Sequence, residues 1–239
     1  MVAFSNLFLG LAAVAASVGA PASQLQSDSL SPRAERRGPQ DFFLGPDHPF
    51  MVARHNVSEL KARTDYIQNY KTGGTVNFTP SGNGFSLDFN TKNDFVVGVG
   101  WKTGSTAPIT HSGSFTVTSG LATLSVYGWT TDPLVEYYVI EDSVSFSQTG
   151  TKKGTVSSDG GTYTIWEAQR VNAPSIQGTK TFNQYISFRN GSRSSGRVTM
   201  ANHINAWQNA GMKLGKMNIQ VVAVETWNGA GSAKQTVTN

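Results

Sequence analysis

Acidic residues inside strand-like segments are the first candidates for chemistry in this chain, because only 15 of its 239 residues are Asp or Glu. Strands disfavour both residue types, so an acid within a strand needs a reason. In Leu134–Glu141, alternation places Glu136 on the same face as Tyr138 and places Glu141 on the opposite face. The pattern therefore predicts a carboxylate beside an aromatic ring on one face of a strand.

A second strand-like segment, Ile219–Val224, leads directly into Glu225. Alternation places Glu225 on the face that also carries Trp227. Two carboxylates on ring-bearing faces are the arrangement needed for acid–base hydrolysis of a glycosidic bond, with the rings positioning a pyranose between them. From spacing alone, the alternative of two Glu residues on solvated sheet faces stays open.

The elements that must position these acids are predicted to be short strands rich in Val, Tyr, Phe and Thr. The predicted strands are Thr75–Thr79, Phe85–Phe89, Phe95–Trp101, Ser114–Thr118, Ala122–Trp129, Val135–Glu141, Gly161–Ala168, Thr179–Arg189, Arg197–Met200 and Ile219–Val224. So many closely spaced strands predict an all-β fold, an antiparallel sandwich or jelly roll. Hairpin turns are expected at Gly73-Gly74, Asn83-Gly84, Asp159-Gly160 and Asn190-Gly191.

One segment, Met200–Leu214, has helical rather than strand periodicity. Its apolar residues recur three to four positions apart at Met200, Ile204, Trp207 and Met212. Gly215 stands at the expected end of this helix, which we predict to pack on a sheet. His203 falls inside it and is expected to be a buried histidine with hydrogen-bond partners rather than a metal ligand.

The composition excludes several classes of protein. Hydrophobic residues make up 38% of the chain, too many for a disordered protein, and without Cys there can be no disulfide or thiolate site. A formal charge of +4 without a basic stripe argues against nucleic acid. No two histidines stand at metal-ligand spacing, so no metal is expected; the four are His48, His55, His111 and His203. A weakly charged surface rich in Ser, Thr, Asn and Gly suits neutral ligands such as sugars.

The N-terminal region reads as processing signals. Residues 1–22 are predicted to be a signal peptide, with a short apolar run and cleavage after Ala22, or alternatively after Ala20. Residues 23–37 end in a dibasic pair and are expected to be a propeptide or, alternatively, a solvated linker. Residues 38–65 are left unassigned. Secretion would make three sequons possible glycosylation acceptors, at Asn56, Asn77 and Asn190.

Four consecutive motifs carry a family resemblance. They are Ser125–Trp129, Pro133–Glu141, Gln169–Phe182 and Ala201–Trp207. Through them, residues 66–239 resemble the family 11 glycoside hydrolases, the small fungal and bacterial endo-β-1,4-xylanases. The resemblance implies a two-sheet β-jelly roll, likened to a half-closed right hand, with one α-helix. It implies xylan or xylo-oligosaccharides as partner, no cofactor, no nucleic acid and no membrane, and a monomer is expected.

The resemblance also implies roles for the two acids. Glu136 corresponds to a nucleophile that forms a glycosyl-enzyme intermediate, and Glu225 corresponds to the acid/base. A retaining mechanism places such carboxyl groups roughly 5–5.5 Å apart. Asp94 matches the position beside the acid/base, where Asp is typical of family members with acidic optima, so activity at acidic pH is expected.

Further cleft residues are implied in the same way. The implied substrate-binding residues are Tyr127, Trp129, Tyr138, Arg170, Pro174, Gln184 and Trp227. For the tyrosines, ordinary sheet packing is the alternative. Pro174 belongs to the tip of the family's thumb loop, Pro174–Ile176.

Some cleft positions depart from the family pattern. Asn69 stands, by count, where a sugar-stacking Trp is usual, and Thr226-Trp227 replaces Gly-Tyr after the acid/base. Asn183 and Ile186 replace aromatic residues around Gln184. The main expectation is a secreted endo-β-1,4-xylanase. The alternative is a diverged, weakly active or inactive protein of the same fold that binds wall polysaccharide or acts as an elicitor.

Overall fold

The computed structural model describes residues 63–239. The predicted signal peptide (1–22), the predicted propeptide (23–37), the sequon at Asn56 and nearly all of the unassigned segment 38–65 lie outside the described residues. Within them, the first strand begins at Tyr66.

Thirteen strands and one helix make up the described part of the chain. In order they are β1 (Tyr66–Lys71), β2 (Thr75–Ser81), β3 (Gly84–Thr91), β4 (Phe95–Trp101), β5 (Pro108–Gly120), β6 (Ala122–Thr131), β7 (Val135–Val144), β8 (Thr151–Ser158), β9 (Gly161–Ser175), β10 (Gly178–Arg189), β11 (Gly196–Thr199), α1 (Met200–Asn209), β12 (Lys216–Thr226) and β13 (Gly229–Thr238). The predicted all-β class with one helix is confirmed.

All ten predicted strands are present, mostly with longer bounds, and three further strands were not predicted. These are β1, β8 and β13. β1 and β8 are the two edges of one sheet and are largely polar and exposed. β13 is central in the other sheet, but only small or polar residues such as Ala233 and Gln235 face inward from much of its length. None of the three therefore shows the apolar alternation by which strands are found.

The strands form two sheets. The larger has eight strands in the order β1-β4-β12-β6-β7-β10-β9-β8, and the smaller has five in the order β11-β5-β13-β3-β2. Neighbours run antiparallel except for β7 and β10, which are parallel. This arrangement confirms the predicted two-sheet jelly roll.

The strands in the middle of the larger sheet are buried on both faces. Val135, Tyr137 and Val139 of β7 belong to the main core, together with apolar residues of the smaller sheet such as Leu87. The alternate residues of β7, including Tyr138, belong to a second apolar cluster that contains no residue of the smaller sheet. Because successive side chains of a strand point to opposite faces, one face of the larger sheet builds the core and the other is free to build a site.

The helix packs on the core but is shorter than predicted. Its buried residues are Met200, His203, Ile204 and Trp207. It ends at Asn209 because Gly211 adopts a positive φ of 80° and the Met212 N–H bonds back to the Trp207 carbonyl. Met212 is buried although it follows the helix, and its apolar spacing therefore led to a predicted helix that is too long. His203 is buried, but neither ring nitrogen has a hydrogen-bond partner among the described residues, so the expectation of partners was wrong.

Two of the four predicted hairpin turns are correct. Asn83-Gly84 and Asp159-Gly160 lie at the β2–β3 and β8–β9 hairpins. Gly73-Gly74 and Asn190-Gly191 instead link strands of different sheets. The chain does turn at both places, but the prediction that they form hairpins was wrong.

Candidate active site

A cavity of about 630 Å³ lies over the face of the larger sheet that does not contact the smaller sheet. All ten site residues predicted from the sequence line it. They are Asp94, Tyr127, Trp129, Glu136, Tyr138, Arg170, Pro174, Gln184, Glu225 and Trp227. The positions come from five strands and from their immediate flanks, so it is the sheet that brings these distant residues together.

Glu136 is held in this cavity by two hydrogen bonds. The Tyr127 hydroxyl donates to Oε1 at 2.9 Å, and Gln184 Nε2 donates to Oε2 at 2.7 Å. Gln184 reaches the carboxylate because the parallel pairing of β7 and β10 places the two residues side by side. Burial raises the pKa of Glu136, while the bonds from Gln184 and Tyr127 act in the opposite direction.

Two tyrosines on neighbouring strands line the same cavity as the acids. Tyr127 of β6 pairs directly with Tyr138 of β7, and their ring centroids are 5.1 Å apart. Burial, and then the negative charges of Glu136 and Glu225, raise the pKa of Tyr138 well above its usual value. Both carboxyls therefore act on one phenol, which places the two acids in the same part of the cavity.

Glu225 lies on β12, on the other side of β6 from Glu136. Burial raises its pKa well above the usual value, and the negative charges of Glu136 and then Asp94 raise it further. Glu225 therefore keeps its proton at a pH where the doubly hydrogen-bonded Glu136 is an anion. The surroundings of the two acids therefore differ in the way that a proton donor and an anion at one site require.

Asp94 immediately precedes β4 and faces the same cavity. Its Oδ1 atom is buried without a hydrogen-bond partner among residues 63–239. Burial raises the pKa of Asp94, and the charge of Arg170 partly opposes this effect. The negative charge of Asp94 is in turn one of the causes that raise the pKa of Glu225.

The thumb segment, Pro174–Ile176, is the tip of the hairpin between β9 and β10. Ser175 stiffens this tip, because its hydroxyl donates to the Gly178 carbonyl at 2.6 Å and accepts from the Gln177 N–H at 3.0 Å. All three thumb residues line the cavity. The hairpin thus contributes an apolar and partly exposed rim to the cleft.

Several lining residues were missed by the sequence reasoning. They are Tyr66, Gln68 and Tyr70 of β1, residues 146–149 between β7 and β8, and Phe182. For β1 the missed signal was the alternation of Tyr66, Gln68 and Tyr70, which puts all three on one face. Residues 146–149 follow no strand period and carried no such signal.

The cleft has exposed aromatic rings although Asn69 stands where a tryptophan was expected. Asn69 does not line the cavity, while Tyr70 on the same strand does and is 37% exposed, so this strand still offers a ring. Trp227 also lines the cavity, is 44% exposed, and meets the ring of Phe146 edge-on at 5.8 Å. The expected departures at Thr226, Asn183 and Ile186 hold as residue identities, but exposed rings remain available to a sugar.

Neither a metal centre nor a membrane span is found in residues 63–239. No three His, Asp or Glu side chains of this part of the chain come together in a way that could hold a metal ion. A helix with the length and apolarity to cross a membrane is also missing from the described residues.

A family model, that of the glycosyl hydrolases family 11, matches residues 62–236, which include all of β1 to β12, most of β13 and the whole cavity. The chain belongs to glycosyl hydrolase family 11. Over its full 239 residues it is 56% identical to endo-1,4-beta-xylanase 1 of Hypocrea jecorina, whose whole length is covered. It is 51% identical to ethylene-inducing xylanase 2 of Botryotinia fuckeliana, over 99% of this chain and 100% of that protein.

Solved structures of family 11 show the same fold. A major endo-1,4-beta-xylanase of Trichoderma reesei matches with a TM-score of 0.74 and 63% sequence identity. The match covers 74% of this chain and all of that one. The architecture described above is therefore that of a family 11 enzyme.

Proposed function

We propose that this chain is a secreted endo-β-1,4-xylanase that hydrolyses internal bonds of xylan with retention of configuration. The observation that carries the proposal is a pair of carboxyl groups in one cavity whose surroundings differ: Glu136 accepts two hydrogen bonds, whereas burial and neighbouring negative charges raise the pKa of Glu225 well above its usual value. The xylanase names of the relatives support the choice of substrate. An open cleft suits an internal segment of a polymer.

In the first step, the Glu136 carboxylate attacks the anomeric carbon while Glu225 gives its proton to the glycosidic oxygen. The bond from the anomeric carbon to that oxygen breaks, and the shortened chain leaves as an alcohol. Tyr127 and Gln184 fix the attacking carboxylate at both oxygens, which limits its freedom before the reaction. The product of this step is an ester between the sugar and Glu136.

The second step reverses these roles. Forming the ester removes the negative charge of Glu136, which is a cause of the raised pKa of Glu225. The pKa of Glu225 then falls toward the usual range, and the carboxylate takes a proton from water as the water attacks the anomeric carbon. The ester bond breaks, Glu136 leaves as a carboxylate, and Glu225 is protonated again.

The rim residues are proposed to hold the sugar chain. Tyr70 and Trp227 offer partly exposed rings for stacking, and Pro174 belongs to the thumb. Secretion rests on the predicted signal peptide, and the exposed sequons Asn77 and Asn190 are then available for glycosylation.

Substitution of each acid tests the assignment. Glu136→Gln should lose activity both on xylan and on 2,4-dinitrophenyl β-xylobioside, whose leaving group needs no proton. Glu225→Gln should lose activity on xylan but still release dinitrophenol in a first burst, because only the nucleophile is needed for that step. Asp88→Asn, on the exposed face of β3, is the matched control and should behave like the unmodified protein.

Two results would contradict the proposal. If Glu136→Gln kept the activity of the unmodified protein, Glu136 would not be the nucleophile. Retained xylan binding without release of reducing sugar between about pH 3 and 8 would favour the binding or elicitor alternative. Proton NMR of the first anomer released checks retention directly.

A further inference from the structure

The hydroxyl of Tyr127 is the middle member of a hydrogen-bond chain that ends on Glu136. Trp129 Nε1 donates to the Tyr127 oxygen at 2.5 Å, and the Tyr127 hydroxyl donates to Glu136 Oε1 at 2.9 Å. An indole N–H can only donate and a carboxylate can only accept, so the direction of the whole chain is fixed by its two ends.

The sheet keeps these three groups in place. Trp129 and Tyr127 are two positions apart on β6 and therefore share a face, and Trp129 pairs directly with Glu136 of the neighbouring strand β7. The Trp129 indole meets the ring of Phe182 edge-on, with centroids 4.8 Å apart. With only 3% of its surface exposed, Trp129 has little freedom to turn its N–H elsewhere.

We propose that Trp129 is a positioning residue that acts on Glu136 through Tyr127. Its N–H fills the acceptor side of the phenol oxygen, so the phenol proton is directed to the carboxylate. This role differs from the direct sugar contact expected for Trp129, and it rests on the proposed function, in which Glu136 is the nucleophile.

The consequence is a stronger hydrogen bond to Glu136. A hydroxyl that accepts a hydrogen bond becomes a better donor, because the two bonds polarise each other in the same direction. Burial and the charge of Glu136 raise the pKa of Tyr127 well above its usual value, so the phenol retains the proton that it donates. The chain therefore favours the anionic form of Glu136 at the acidic pH where activity is expected.

A double-substitution cycle tests this inference. The kcat/KM for 2,4-dinitrophenyl β-xylobioside is measured against pH for the unmodified protein, Trp129→Phe, Tyr127→Phe and the double variant. We expect Trp129→Phe to move the acid limb upward by roughly half to one pH unit and to lower the plateau on the order of tenfold. In the Tyr127→Phe background, Trp129→Phe should not move the acid limb further, since the bond that transmits its effect is gone.

A second variant distinguishes the effect of the N–H donor from the effect of the size and shape of the ring. Placing 3-benzothienylalanine at position 129 keeps the two fused rings but removes the donor, so folding is preserved and the same upward movement of the acid limb is expected. An acid limb that does not move, or one that moves equally in the Tyr127→Phe background, would overturn the inference and leave Trp129 as a packing or sugar-contacting residue.

Failure of the proposed function would look different. It would appear as xylan hydrolysis that survives Glu136→Gln, whatever the result at position 129. Circular dichroism and thermal unfolding of each variant confirm that the pH profiles compare folded proteins.

Discussion

His203 should make the folded state less stable in the acidic range where the enzyme is expected to work. Its side chain is fully buried in α1, meets the Tyr163 ring edge-on at 4.6 Å, and finds no hydrogen-bond partner among the described residues. Burial lowers the pKa of His203 to about 4, although the charges of Glu141 and Asp159 act in the opposite direction. The neutral imidazole is thus the form that the folded protein accommodates.

The sign and size of the effect follow from linkage. An unfolded chain binds a proton at this histidine below about pH 6.5, whereas the folded protein does so only below about 4. The free energy of unfolding therefore falls as the pH drops from 6.5 to 4, and the loss is complete below 4. About 2.5 pH units at about 1.36 kcal/mol each correspond to a loss of about 3 kcal/mol.

Urea unfolding of the unmodified protein and of His203→Leu at pH 6.5 and pH 4 measures this loss. The unmodified protein should lose about 3 kcal/mol more than the variant between the two pH values, since Leu does not titrate. Asn205→Ala, on the exposed face of α1, is the control and should retain the full pH dependence. An equal loss in His203→Leu and in the unmodified protein would refute the argument.

Three further substitutions give separate tests. Asp94→Asn should move the alkaline limb of the pH profile for xylan hydrolysis upward by about one pH unit. In the unmodified protein that limb is expected to begin where Asp94 ionises, because its negative charge raises the pKa of Glu225 and makes Glu225 a weaker proton donor, whereas Asn stays neutral; an unchanged limb would show that the charge of Asp94 does not act on Glu225. Glu141→Gln should lower the free energy of unfolding at pH 7 by about 3 kcal/mol in urea, since the buried carboxylate accepts hydrogen bonds from Tyr163 and from Arg193. The pKa of Glu141 is lowered in the folded state, so this difference should shrink as the pH falls below 4, and a difference that persists at pH 2 would argue against it. Trp227→Ala should raise KM for xylan about fivefold with a smaller change in kcat, as expected for the loss of roughly 1 kcal/mol of ring contact, and an unchanged KM would remove Trp227 from the binding surface.

Much of the fold could be predicted because the alternation of side chains between the two faces of a strand is visible in the local sequence. The alternation of Val135, Tyr137 and Val139 against Glu136 and Tyr138 is visible in the sequence. In the structure the first three belong to the main apolar core, and Tyr138 belongs to the second apolar cluster, as expected. By contrast, β8 and β13 carry few apolar side chains, and pairing with their neighbours is what defines them as strands. Their strand character is a property of the sheet and not of the segment.

The end of the helix and the surroundings of His203 could not be predicted for a related reason. Met212 continues the apolar period of α1 although the backbone has already turned at Gly211. The neighbours of a buried side chain come from other strands, so whether its nitrogens find partners depends on contacts that the local sequence does not contain.

The sequence by itself determined which faces the two acids occupy, because alternation along a strand is a local property of the backbone. It places Glu136 on the same face as Tyr138 and Glu225 on the same face as Trp227. Only the tertiary structure decided that both acids share one cavity. They lie on β7 and β12 with β6 between them, and their partners on β6, Trp129 and Thr123, lie well apart along that strand. The register of long-range pairing and the twist of an eight-stranded sheet bring them together, and neither is encoded in any single segment.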